Sequence, residues 1–232
     1  MVQVNNTPIN LRVKFKKVGN LQYISHLDLV RTMHKIIVRA KLPLWYTEGF
    51  NPKPKMVFAA PLSIGTESLT EFVDIRLIEK IDVADALSRL NANMTDEMQA
   101  IEAYYPERKL TDMKWLSYTM VVHTDSASQE LAERCEKFLM GERVEVEKKN
   151  KKGDTVLSDI RPLIKSVNAV FDGENIRISC VLSADASAFL NPEYVIKALK
   201  NECGILSSGD LLAEYYSVMR EAAFCEDMSE FR

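Results

Sequence analysis

The chain has 232 residues, 47% of them hydrophobic and 27% charged, a globular composition that excludes disorder, collagen and coiled coil. No apolar run approaches the ~18 residues a membrane helix needs. Met1 to Asn6 lack a basic stretch ahead of a hydrophobic one, so a cytoplasmic protein with no membrane attachment is expected. The net charge of -3 hides an asymmetry, because residues 1–61 carry ten Lys and Arg against Asp28 and Glu48, a balance of +8 that leaves -11 for the remainder. Such a distribution points to a cationic surface early in the chain that meets an anionic partner, with mutual neutralisation of the two ends as the alternative.

In chain order, Leu11-Arg12-Val13-Lys14-Phe15-Lys16 alternates with period 2 and predicts a half-buried strand, with Arg12, Lys14 and Lys16 on the side away from the core. Ser25 as N-cap, with Asp28 three residues on, opens a helix to about Lys41 that gathers Leu29, Val30, Met33, Ile36, Ile37 and Ala40 on one face. Pro43 stops it. Leu44–Thr47 and Met56–Ala60 read as short extended pieces, Glu71–Leu77 as a strand, a helix follows from Asp82, and a strand runs near Ala100–Tyr105. That is the order β-α-β-β-α-β.

Beyond the polar stretch Pro106–Lys114 the order starts again. Leu116–Thr124 is expected as a strand and Ser126–Leu139 as a helix; Val144–Lys149 with Thr155–Ile160, and Ser166–Phe171 with Ile176–Ser183, form hairpins. Asn191, Pro192 and Gly204 frame a helix, and Leu211–Arg220 is the final strand. The expected fold is α+β, two tandem ferredoxin-like (split β-α-β) modules with antiparallel sheets: a basic N-terminal module, residues 1–108, and an acidic C-terminal one, residues 109–232. The open side of the first sheet would then combine Arg12, Lys14 and Lys16 with Phe72, Asp74 and Arg76, cations to hold phosphates and a ring to stack a base; the alternative is that Asp74 pairs with Lys14 across the strands and the second module covers this face.

The most unusual segment is Gly49-Phe50-Asn51-Pro52-Lys53-Pro54-Lys55. Two prolines stiffen it and push the residues before them toward extended backbone, which displays Lys53 and Lys55 at little ordering cost. Read instead as a crossover between strands, it makes Phe50 a core plug. Tyr23-Ile24-Ser25-His26-Leu27-Asp28 joins the first strand to the first helix, where His26 is a candidate phosphate donor or general base and Arg31 a flanking cation. His34 borders the apolar face and reads as packing. The hairpin tip Asn150-Lys151-Lys152-Gly153-Asp154 reads as a solvated basic turn, with auxiliary phosphate contact as the alternative, and Asp159-Ile160-Arg161-Pro162 places Asp159 and Arg161 on one side, to pair with each other or with a partner. The four cysteines are 45, 23 and 22 residues apart, which supports no metal or disulfide motif, and no P-loop, dinucleotide fingerprint, G-x-S-x-G or H-E-x-x-H is present. Neither metal nor cofactor is expected.

Tyr23-Ile24-Ser25-His26-Leu27-Asp28, Gly49-Phe50-Asn51-Pro52-Lys53-Pro54, Phe58 to Ser68 and Glu71-Phe72-Val73-Asp74-Ile75 resemble the uncharacterised bacterial radical SAM-linked proteins, domain of unknown function 2344. Asp159-Ile160-Arg161-Pro162-Leu163-Ile164 is similar to a later motif of that family. The resemblance implies partnership with a radical SAM enzyme in RNA or ribosome metabolism and carries no established activity. The chain lacks the C-x-x-x-C-x-x-C spacing of a radical SAM cluster and so is not the catalytic half. The tandem architecture is also similar to that of CRISPR repeat-processing endoribonucleases, some of which use a histidine near the first helix, although the long glycine-rich loop near their C-terminus is lacking here.

The expected function is a non-catalytic accessory module that binds RNA or a ribonucleoprotein through Arg12, Lys14, Lys16, His26, Asp28, Arg31, the segment Gly49 to Lys55, Asp159 and Arg161, and presents it to a radical SAM enzyme. Two alternatives stand beside it: a metal-independent endoribonuclease using His26, and a pure protein-protein adaptor.

Overall fold

The computed structural model describes residues 7–149 and 153–232, a mixed α+β chain with four α-helices and antiparallel strand pairing among those residues. It divides into two compact units, the first ending at Asp112 and the second comprising Met113–Phe231.

In the first unit β1 (Ile9–Lys17) is followed by α1 (His26–Arg39), β2 (Met56–Phe58), β3 (Thr66–Leu77), α2 (Val83–Asn91) and β4 (Ala100–Tyr104). The sheet order is β4-β1-β3-β2, and every pairing within the unit is antiparallel. Alternation in β1 turns Leu11, Val13 and Phe15 to one side, where all three are fully buried with Leu29, Met33, Ile36 and Ile37 of α1 and Ala86 and Leu90 of α2. Each of these side chains larger than alanine contributes roughly 1.5–3 kcal/mol by leaving water. Both helices start where their caps dictate. The Ser25 hydroxyl accepts from the Asp28 amide at 3.1 Å, and the Asp82 carboxylate from the Asp85 amide at 2.8 Å. Strand β3 begins at Thr66, five residues before the alternating stretch that betrayed it, because Ser68 pairs with Lys17 beyond a register shift in β1.

The other side of β1 departs from expectation. Arg12, expected to face solvent, is fully buried and donates to Asp74 at 2.7 and 3.0 Å. Phe72 is buried as well, with the Lys14 ammonium 5.9 Å from its ring centroid, so its ring is not offered to a base. Alternation fixes the side a residue takes and leaves open whether that side meets water.

The second unit runs β5 (Trp115–His123), α3 (Gln129–Leu139), β6 (Glu145–Lys149), β7 (Thr155–Asp159), β8 (Ile164–Phe171), β9 (Ile176–Ser183), α4 (Glu193–Cys203) and β10 (Tyr215–Phe224). Its sheet order is β10-β5-β9-β8, while β6 and β7 pair as a separate hairpin. The tip residues Asn150, Lys151 and Lys152 lie outside the described residues. Helix α3 starts three residues later than expected, with Ser128 as its cap. Helix α4 starts at Glu193, whose amide donates to the Asn191 side chain at 3.1 Å, and ends on Gly204 at φ 72°. The last strand is shifted from residues 211–220 to 215–224. Asp210 gathers the amides of Leu212, Ala213 and Glu214 into a turn and delays the strand until Tyr215.

Candidate functional site

The loop after α1 is the most distinctive surface element of the first unit. It is a short braced hairpin. The Thr47 amide donates to the Lys53 carbonyl at 2.9 Å, the Lys53 amide to the Thr47 hydroxyl at 3.1 Å, and the Lys55 amide to the Trp45 carbonyl at 3.0 Å. The His34 ring of α1 meets the Pro54 carbonyl at 3.1 Å and ties the hairpin to the helix. His34 is therefore more than packing, a role that depends on two residues twenty apart in sequence. Gly49 sits at φ 120° with no atom within 4 Å of the position a Cβ would take, so backbone conformation and not crowding calls for glycine there.

On this scaffold Phe50 is fully exposed, so the reading of Phe50 as a core plug does not hold. Lys53 and Lys55 are exposed two residues apart on extended backbone, the Lys55 ammonium 5.3 Å from the Trp45 ring centroid. On α1, whose His34 meets the loop, Arg31, Lys35 and Arg39 follow one another at helical spacing and are exposed. Among the described residues Lys35, Arg39 and Lys53 have no acidic partner.

His26 is exposed at the first position of α1, its ring edge-on to Phe58 with centroids 5.4 Å apart. Asp28 is occupied by the helix cap: the Ser25 hydroxyl donates to it at 2.7 Å and Arg31 at 3.1 Å, and these two hold its carboxyl below the ordinary range. Lys14 and Lys16 are half-buried on β1, Lys14 opposite Phe72 and Glu102 on the neighbouring strands. Tyr23, Leu27 and Ile64 are exposed near the start of α1, apolar positions that the charge pattern did not single out.

Asp159 and Arg161 belong to the second unit, where local bonds use them. Asp159 accepts from the amides of Val144 and Arg161 at 3.0 and 2.9 Å, which lowers its carboxyl below the ordinary range. Arg161 donates to the carbonyls of Gly141 and Ile164 at 3.0 and 2.7 Å. The pair thus closes the turns around β6 and β7 without a direct bond between the two side chains. Among the described residues no group of three or more His, Cys, Asp or Glu side chains could hold a metal ion, and no helix is long and apolar enough to cross a membrane.

These features define an α+β protein with antiparallel sheets and a stiff cationic loop beside its first helix. The chain belongs to the family DUF2344, described as an uncharacterised protein conserved in bacteria, whose model matches residues 10–192. No curated protein matches it. Among solved structures it is similar to a chain of a Cbf5-Nop10-Gar1 complex, at 10% identity and a TM-score of 0.49 over 94% of this chain and 50% of that one, so it spans half that chain's length. An unknown protein from Galdieria sulphuraria is similar at 11% identity and a TM-score of 0.27, over 92% of this chain and 98% of that one. Likenesses this distant bear on neither activity nor partner.

Proposed function

We propose that the protein is a non-catalytic accessory module that binds RNA, or a ribonucleoprotein, through the first unit and works in the cytoplasm with a radical SAM enzyme. The observation that carries the RNA part is the braced loop, which projects Lys53, Lys55 and Phe50 into solvent and is tied by His34 to the helix that exposes Arg31, Lys35 and Arg39. Cations hold the phosphates, and a preformed loop loses little freedom on binding. Arg12 has no part in this surface, since it is buried against Asp74. The radical SAM partner rests on the sequence resemblance alone. Reading each unit as a split β-α-β, ferredoxin-like module rests on the sheet orders β4-β1-β3-β2 and β10-β5-β9-β8.

The test is fluorescence-anisotropy titration of labelled ribosomal and transfer RNA fragments in EDTA at several salt concentrations. Lys53→Glu together with Lys55→Glu should weaken binding at least about tenfold and flatten the log-log salt dependence by roughly 1.4, the share of two phosphate contacts on a single strand. Unchanged affinity removes the loop from the interface. If wild type fails to bind even at low salt, the cationic surface serves an acidic protein partner instead.

A further inference from the structure

The loop's chemistry narrows the ligand beyond RNA in general. We infer that this site takes unpaired RNA and stacks an exposed base on the ring of Phe50, an inference that rests on the RNA reading above. An apolar ring fully in water at the tip of a loop gains nothing for the fold. Here that ring is carried on a scaffold fixed by four hydrogen bonds, from Thr47, Lys53 and Lys55 and to Pro54. The bonds lie on the two arms of the hairpin, and the ring stands exposed at the tip between them.

The neighbours select the class of partner. Lys53 and Lys55 stand three and five residues along the chain on the same extended arm, so a strand whose base lies on Phe50 leads its phosphates past two ammonium groups. The only acid in the loop is Glu48. A greasy protein surface would find an aromatic anchor here with cations beside it that are costly to desolvate, whereas a nucleic-acid strand uses both. Duplex RNA does not fit the ring. Its bases are covered on both faces, and its deep, narrow major groove excludes side chains. The stacking role expected of Phe72 passes to Phe50, because Phe72 is buried beneath Lys14.

The experiment compares one mixed-sequence oligoribonucleotide, alone and annealed to its complement, against the full-length wild type, Phe50→Ala, Phe50→Leu, Phe50→Trp and the Lys53→Glu, Lys55→Glu double variant. Phe50→Ala and Phe50→Leu should weaken single-strand binding by about fivefold to a hundredfold and leave duplex binding unchanged, while Phe50→Trp keeps the wild-type affinity. Wild-type affinity in Phe50→Leu as well as in Phe50→Trp would show that the site wants bulk and not a stacking face. If Phe50→Ala leaves single-strand affinity intact while the double lysine variant lowers it, stacking is overturned and the RNA reading survives. If no variant and no wild type binds either RNA at low salt, both readings fall. Because the ring is fully exposed, all the Phe50 variants should melt with the wild type.

Discussion

Arg12 and Asp74, sixty-two residues apart in sequence, form a two-point ion pair in the first unit, Nε to Oδ1 at 2.7 Å and Nη2 to Oδ2 at 3.0 Å, with the guanidinium withdrawn from solvent. The bidentate geometry answers part of the desolvation of both charges, and the register of β1 on β3 holds it, since Arg12 and Asp74 are direct cross-strand partners.

Removing one partner should therefore be far costlier than removing both. Asp74→Ala is expected to destabilise the first unit by roughly 3–5 kcal/mol, whereas Arg12→Met combined with Asp74→Leu recovers most of that loss. Urea unfolding midpoints of the single and double variants measure the difference. Equal losses in the two would mean that packing, and not charge compensation, holds the position.

The brace between α1 and the loop makes a second prediction. His34→Ala removes the contact with the Pro54 carbonyl, and should cost roughly 0.5–1.5 kcal/mol locally. Hydrogen exchange at the Thr47, Lys53 and Lys55 amides should quicken while the amides of β1 keep their protection. RNA affinity should fall severalfold through loss of preorganisation, even though His34 need not touch the ligand.

A third concerns acid. The Thr124 hydroxyl, helped by Ser208 and the Asp125 amide, holds the Glu214 carboxyl down to about 2 from 4.5. A carboxyl lowered in the folded state binds fewer protons there than when unfolded. Its stabilisation is present above about pH 4.5 and is lost as pH falls toward 2. Glu214→Gln should accordingly lower the melting temperature at neutral pH, and its gap from wild type should close as acid is added. A gap that is constant across this range would show that Glu214 acts without its charge.

Catalysis by His26 is tested directly on RNA. Wild type and His26→Ala are both expected to leave RNA intact during long incubation in EDTA, with little change in affinity, because the imidazole lies edge-on to Phe58. Cleavage by wild type that His26→Ala abolishes would replace the accessory module with a nuclease.

Much of the secondary structure was written in the sequence, because it is set locally. The period-2 run of Leu11, Val13 and Phe15, the caps at Ser25 and Asp82 and the glycine at 204 each depend on neighbours a few residues away, and the structure finds each element within a few residues of its expected place. The charge asymmetry and the stiff, cationic segment from Gly49 to Lys55 were equally legible as composition. What only the tertiary structure decided is which of those charges reaches water. Arg12 and Lys53 look alike in a sequence, yet one is buried against a carboxylate supplied by a distant strand and the other stands free on a loop pinned by a histidine of the preceding helix. Burial and loop orientation come from contacts between segments far apart in the chain, and local pattern, which reports the side a residue takes, does not encode what that side will meet.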